Sequence, residues 1–233
     1  MGRGAGALRL EPRHHPRGLD APRGLDAAAV LLREEVLQLP EGEMIPKPLQ
    51  KPHPPLWQPC LSPSTMEKCL RRGITPILGT TLTPLPDLKA MFERLAEAME
   101  QTGTTGMHRV ARPFVYISDS SEQAHAEARE PMQWFLDDFA GMFELPEGTV
   151  WPETYRFFER WGQYIRSLTC EQLVEEDLVW FGDAEAIADK IRWLRDECDV
   201  SDVLAFMHFG GLEHEKVLRS MELFATKVMP RFR

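Results

Sequence analysis

The apolar positions of the chain change period repeatedly, and the changes divide it into alternating helices and strands. Residues 26–39, "DAAAVLLREEVLQL", have the spacing of a helix. In "PKPLQKPHPPLW" (46–57), Pro46, Pro48, Pro52, Pro54 and Pro55 fix their own φ and push each preceding residue out of the helical region, so this stretch runs extended. An apolar run follows at 56–61, then a helix capped by Ser62 with Pro63 just inside it, then a second apolar run, "ITPILGT" at 74–80. Leu88, Met91, Phe92, Leu95 and Met99 share one face of the next helix. "PFVYIS" at 113–118 is a third short apolar run, and Ser120 and Gln123 behind it have capping-box spacing.

A helical, aromatic-rich insertion reaches to about residue 180; it contains "WPETYRFFERWGQYI", with Pro152 at a first helical position and Trp and Phe side chains for a core. Asp183 caps "GDAEAIADKIRWLRDE", where Ile187, Ile191 and Leu194 fall on one face. "DVLAFMHF" (202–209) is apolar at both alternating positions, the pattern of a parallel strand buried on both sides. Val217, Met221, Phe224 and Val228 line the last helix, which Pro230 follows. Leu56–Leu61, Pro76–Gly79, Phe114–Ser118 and Val203–His208 are therefore predicted to be adjacent parallel strands with the helices outside. The fold class is α/β, either a doubly wound sheet or part of a (β/α)8 barrel. The proline segment satisfies P-x-x-P, yet it runs straight into an apolar strand and reads as a stiff connector rather than a ligand for an aromatic groove.

Residues 1–25 are rich in Arg, Gly and Pro and include most of a tandem "PRGLDA" repeat (16–21 and 22–27); they read as a disordered basic leader or a basic interaction arm ahead of a domain at 26–233. Lys+Arg 27 against Asp+Glu 36, a net charge of −9, argues against a nucleic-acid or anionic-membrane binder, which needs a basic face. Cys60, Cys69, Cys170 and Cys198 form no C-x-x-C pair and no Cys/His set with metal-ligand spacing, so they read as reduced thiols of a cytoplasmic protein. No apolar run is long enough to span a membrane, and no secretory signal is present.

Two places carry candidate chemistry. Ser62 and Pro63 open a helix whose first amides lack partners, which makes either an anion site or a plain cap that binds nothing. His208 closes the last strand, where barrel enzymes place their chemistry, and Gly210 and Gly211 let a ligand or backbone come close; the other reading of His208 is a hydrogen-bonded structural residue. His214 and Glu215 suit the first turn of the following helix, while His53, His108 and His125 have no convergent partner in the sequence.

Taken in order, "PKPLQKPHPPLW" leading into "SPSTMEKCLRRG", then "FGDAEAIADKIRWLRDE", then "DVLAFMHFGGLEHEKVLRSMELFATKVMPRFR", resemble the C-terminal half of the bacterial-luciferase-like flavin-dependent monooxygenases over about residues 26–233. The resemblance implies a (β/α)8 TIM-type barrel of which this chain supplies strands five to eight and a helical insertion. It further implies an oxidoreductase in which reduced flavin, FMN or in some branches a deazaflavin, acts with oxygen on a small organic substrate. The positions matching the family's cofactor loop are Cys60, Leu61, Ser62 and Thr65. Gly79 stands where luciferase has a hydroxyl-bearing residue near the phosphate, so Thr80 or Thr81 takes that part, or the segment is only a turn. Gly210 and Gly211 complete the cofactor-binding set, with His208 the catalytic candidate. Because the first four strands find no match, the alternative is a catalytically incomplete half-barrel, whose open edges and uncovered inner layer would drive self-association into homo-oligomers.

Overall fold

Short apolar runs that must bury both faces pair side by side, and the parallel sheet they form organises everything else. The computed structural model describes residues 45–232, apart from 80, 81, 152, 154 and 155, together with the backbone of three short strands before them. Those three are β1 (Leu8–Arg9), β2 (Val30–Arg33) and β3 (Gln38–Gly42). Then follow β4 (Trp57–Pro59), α1 (Pro63–Arg71), β5 (Thr75–Leu78), α2 (Leu85–Thr102), β6 (Val110–Ala111), β7 (Val115–Ile117) and α3 (Ser121–Gly141). The chain continues through α4 (Phe157–Ser167), α5 (Cys170–Glu175), β8 (Trp180–Gly182), α6 (Ala184–Cys198), β9 (Asp202–Val203) and α7 (His214–Leu223), ending in a π turn, Phe224–Val228, and a 3-10 turn, Met229–Phe232.

Strand β4 pairs in parallel with β5 (Trp57 opposite Thr75), β5 with β6 (Ile77 opposite Val110) and β6 with β9 (Val110 opposite Asp202). A parallel bridge between Phe114 and Phe206 carries the pairing onward, and β7 pairs in parallel with β8. Strands thus fall in all four predicted stretches, β5 at its expected length and the other three shorter, and the third stretch is preceded by a further segment, β6, that starts at Val110. Pro113, which has no N–H to donate, interrupts that strand, so its first half pairs with β5 and its second half with β8. Strand β8 itself lies where the sequence shows only the end of the helical insertion.

Two further expectations are corrected. Residues 26–39 are not a helix in their described part: β2 and β3 form an antiparallel pair, with Leu32 opposite Leu39, since helical propensity is only a weak prior that strand pairing overrides. Within residues 1–25, Leu8–Arg9 pairs antiparallel with β9, Leu8 opposite Val203, and the rest of the segment expected as a leader lies outside the described residues. Ser120 caps α3 by accepting the Gln123 N–H at 3.1 Å, but the Gln123 side chain donates to Glu127 instead of closing the box. The complete capping box belongs to Thr169 and Gln172 at α5.

Helices α1, α2 and α6 and the C-terminal turns bury Cys69, Phe92, Leu95, Ile187, Ile191, Phe224 and Val228 against one side of the strands. Helices α3, α4 and α5 bury Met132, Leu136, Ile165 and Leu173 with Tyr116 and Phe181. At roughly 1.5–3 kcal/mol for each fully buried large side chain, these two clusters supply the main driving force for the fold. Met221, expected on the buried face of the last helix, is 36% exposed. Phe114, Tyr116 and Val203 are all buried within the chain, so the uncovered layer expected of these strands is not found there. Among the described residues the five-stranded sheet ends on β1 at one side and on β4 at the other, the latter three residues long and ending in Pro59.

At the amino ends of the parallel strands lies a polar network. His108 Nδ1 is 2.6 Å from Oδ2 of buried Asp202, Ser201 donates to the same oxygen at 2.7 Å, and Arg109 donates to the carbonyls of Cys198 and Phe92. His125, also without a partner in the sequence, lies 3.0 Å from the Phe181 carbonyl and ties α3 to β8. Among the described residues no helix is long and apolar enough to cross a membrane.

Candidate functional site

Because β4, β5, β6 and β9 run in parallel, the chain leaves Pro59, Leu78, Ala111 and Val203 at one end of the sheet. Helix α1 starts at that end, four residues after β4. Ser62 is extended there (φ −134°, ψ 150°) and accepts the Thr65 N–H at 3.3 Å. Its hydroxyl also lies 3.0 Å from Thr65 Oγ1 and 3.1 Å from Ser64 Oγ, so three hydroxyls converge on the positive end of a nine-residue helix. Pro63 contributes no donor, which leaves the Ser64 amide for any ligand.

A cavity of about 260 Å³ opens beside this turn, lined by Cys60, Leu61, Ser62, Pro63, Met66, Leu78 and, from α2, Asp87, Met91 and Arg94. Past Leu61, Asp87 and Met91 it continues into a wider groove of about 700 Å³, walled by Leu82, Thr83 and Pro84 on one side and by Arg160, Trp161 and Tyr164 of α4 on the other. Hydroxyls, a helix terminus and the Arg94 guanidinium together form a set of donors suited to a phosphate. The apolar surface of Leu61 and Met91 suits a flat organic body.

Of the residues singled out in the sequence, Cys60, Leu61 and Ser62 line this cavity, and Thr65 stands beside it through its contacts with Ser62. The Cys60 N–H donates to the Ile77 carbonyl at 3.0 Å, and its side chain belongs to the core. Its Sγ lies 3.4 Å from the Gln58 carbonyl and 3.5 Å from Cys69 Sγ, and burial, followed by the hydrogen bond and charge of Cys69, pushes its thiol up to about 12. Gly79 follows β5 with φ +64°, a backbone conformation that favours glycine, while a Cβ there would meet only the tip of the Leu88 side chain at 2.9 Å. Thr80 and Thr81 lie outside the described residues.

His208 leaves the same end of the sheet, and its side chain is exposed. Gly210 and Gly211 are not in the groove; they line a separate cleft of about 570 Å³ between α3 and α7, with Glu127, Pro131, Trp134 and Lys216. Gly210 (φ +56°) packs on the Pro131 backbone, which gives it a structural reason. Beside that cleft the Glu127 carboxylate accepts from Tyr116, Ser118 and Gln123 at 2.8–2.9 Å. Burial alone would raise its pKa, but those hydrogen bonds outweigh it and hold the carboxyl below its ordinary value.

Sequence reasoning missed Ser64, Arg94, Arg160 and Tyr164, and placed Met91 and Trp161 wholly in the core. The three-residue spacings 91–94 and 161–164 put each pair on one helical face, yet only the folded chain shows that these faces of α2 and α4 border a groove. Among the described residues no group of His, Cys, Asp and Glu could hold a metal ion.

The family model described as luciferase-like monooxygenase matches residues 26–194. The oxygenase component of the flavin-dependent trigonelline monooxygenase of Acinetobacter baylyi is 24% identical over 212 residues, 85% of this chain and 54% of its own length. Monooxygenase RslO1 from Streptomyces bottropensis shares the fold with a TM-score of 0.63 at 16% identity, over 90% of this chain and 57% of that one. The oxygenating constituent of 3,6-diketocamphane monooxygenase from Pseudomonas putida, solved in complex with FMN, does so with a TM-score of 0.58 at 16% identity, over 90% and 60%. The chain thus spans little more than half the length of these relatives.

Proposed function

Because the chain belongs to the luciferase-like monooxygenase family, we propose that the groove at the carboxyl ends of β4 and β5 holds a reduced flavin by its phosphate, FMN or a deazaflavin, for the monooxygenation of a small organic substrate. The observation that carries this reading is the meeting of the Ser62, Ser64 and Thr65 hydroxyls at the amino end of α1, where Ser62 lines one cavity with Arg94. The relative solved with FMN and the relative named as flavin-dependent support the cofactor class. Only strands five to eight of the family barrel are assigned to this chain in this reading.

Bound reduced flavin supplies the activation of oxygen. The chain's own residues bind, orient and exclude water. Ser62, Ser64 and Thr65 donate to phosphate oxygens, and Arg94 offsets their charge. Leu61 and Met91 present apolar surface to the flavin's organic body and keep solvent from it. His208, exposed at the same end of the sheet, is the ionisable group proposed to exchange a proton with the substrate. The four buried free thiols suit a reducing compartment, the cytoplasm, and the unpaired side of β4 is the edge proposed for self-association.

A chain spanning about half of its relatives also fits the second reading, flavin binding without turnover. The test mixes the chain, pre-equilibrated with photoreduced FMN, with air-saturated buffer and a panel of small organic substrates, and measures hydrogen peroxide and oxygenated product per flavin oxidised. Peroxide that falls with one substrate, matched by an equal amount of hydroxylated product, supports the monooxygenase; FMN binding with a peroxide yield unchanged by every substrate supports the binding-only reading. Failure to bind reduced FMN at all defeats both.

A further inference from the structure

Beyond Leu61 the groove has a wall that a flavin phosphate does not use. Arg160, Trp161 and Tyr164 line it from α4. Trp161 is set firmly, with ring contacts to Phe139 at 5.7 Å and to Phe143 at 4.9 Å, so the wall is a fixed aromatic surface. Tyr164, three residues on, shares its helical face. Arg160 makes no ion pair among the described residues, whereas Asp87 across the groove lies in the first turn of α2, where helix amides already favour a carboxylate. Burial, with Glu176 and Asp87 nearby, raises the Tyr164 pKa, so its hydroxyl stays a donor at neutral pH.

From this arrangement we infer a subsite for a planar aromatic carboxylate, its ring against Trp161 and its charge met by Arg160 and the Tyr164 hydroxyl. The groove, about 700 Å³, lies within the usual range for organic ligands. A flat ring gains stacking area on Trp161 without ordering a flexible chain. The carboxylate gains a charge-assisted hydrogen bond that an uncharged analogue does not. The inference rests on the flavin reading only for the role of this ligand as the substrate beside the cofactor.

The test is titration of the chain's tryptophan fluorescence with benzoate and with benzamide, in the absence and presence of FMN, for the native protein and for Arg160→Gln and Tyr164→Phe. Benzoate is expected to bind about tenfold more tightly than benzamide, the size of one charge-assisted contact. Arg160→Gln should abolish that preference; Tyr164→Phe should reduce it in part. Equal affinities for the two probes, no benzoate binding, or a preference that survives Arg160→Gln overturns the subsite. If the preference is present and lost in Arg160→Gln while FMN fails to bind, the subsite stands and the flavin reading falls. If FMN binds without any preference, the subsite alone is overturned.

Discussion

Gly210 lies so close to Pro131 that a Cβ on the glycine would stand 1.6 Å from the proline carbonyl oxygen. No side chain fits there, so the last βα loop is locked against the backbone of α3. Gly210→Ala should therefore cost about 3 kcal/mol or more, adding overpacking to the strain of a positive φ. Gly211 also has positive φ, but nothing lies within 4 Å of its would-be Cβ, and Gly211→Ala should cost only about 1 kcal/mol. Urea unfolding of both variants measures the difference; equal losses would mean that the Pro131 contact is not what fixes the loop.

Asp202→Ala removes the buried partner of His108 and Ser201 at the amino ends of the strands, the end opposite the groove. A loss of about 3 kcal/mol is expected, with FMN affinity unchanged. Thermal unfolding and an FMN titration on the same sample check both parts. A large fall in FMN affinity in the folded variant would place the site at the wrong end of the sheet.

Alkaline pH should unfold the chain earlier than its acidic composition suggests. Burial pushes the Cys60, Cys170 and Cys198 thiols from an ordinary 9.0 up to about 12, about 11 and about 11. Burial, followed by the hydrogen bond to Glu127, also raises the Tyr116 phenol. The native state holds these protons more tightly than the unfolded chain, so their contribution is complete below pH 9 and is lost as pH rises towards 12. Urea midpoints should be level from about pH 7 to about pH 8 and fall steeply above about pH 9. A midpoint rising through that upper range contradicts the assignment.

The local grammar of the chain was legible where one residue type has one physical use. The Ser62 and Asp183 caps, the apolar runs of β4, β5, β7 and β9, and the Ile187, Ile191 and Leu194 face of α6 all follow from short-range pattern. Strand β6 was hidden because "HRVARP" mixes two buried residues with Arg109 and Arg112. The pairing of His108 with Asp202 joins residues 94 apart and has no signature in spacing. The groove was only half visible for the same reason: Ser62 announces a helix terminus, but Arg94 and Arg160 resemble any solvated arginines until α2 and α4 are placed around the groove. Residues 26–39 carried a helical period that the β2–β3 pairing overrides.

The central claim, that the amino end of α1 receives a flavin phosphate, is tested most directly by titrating the chain with FMN and with riboflavin, which lacks the phosphate. Ser62→Ala combined with Thr65→Val removes two of the three hydroxyls, and Thr169→Ala at α5 controls for the loss of about 1 kcal/mol that any N-cap removal brings. The account predicts that FMN binds at least about tenfold more tightly than riboflavin, that the double variant loses this difference, and that Thr169→Ala keeps it. Equal binding of the two flavins by the native chain, or an undiminished preference for FMN in the double variant, would contradict it.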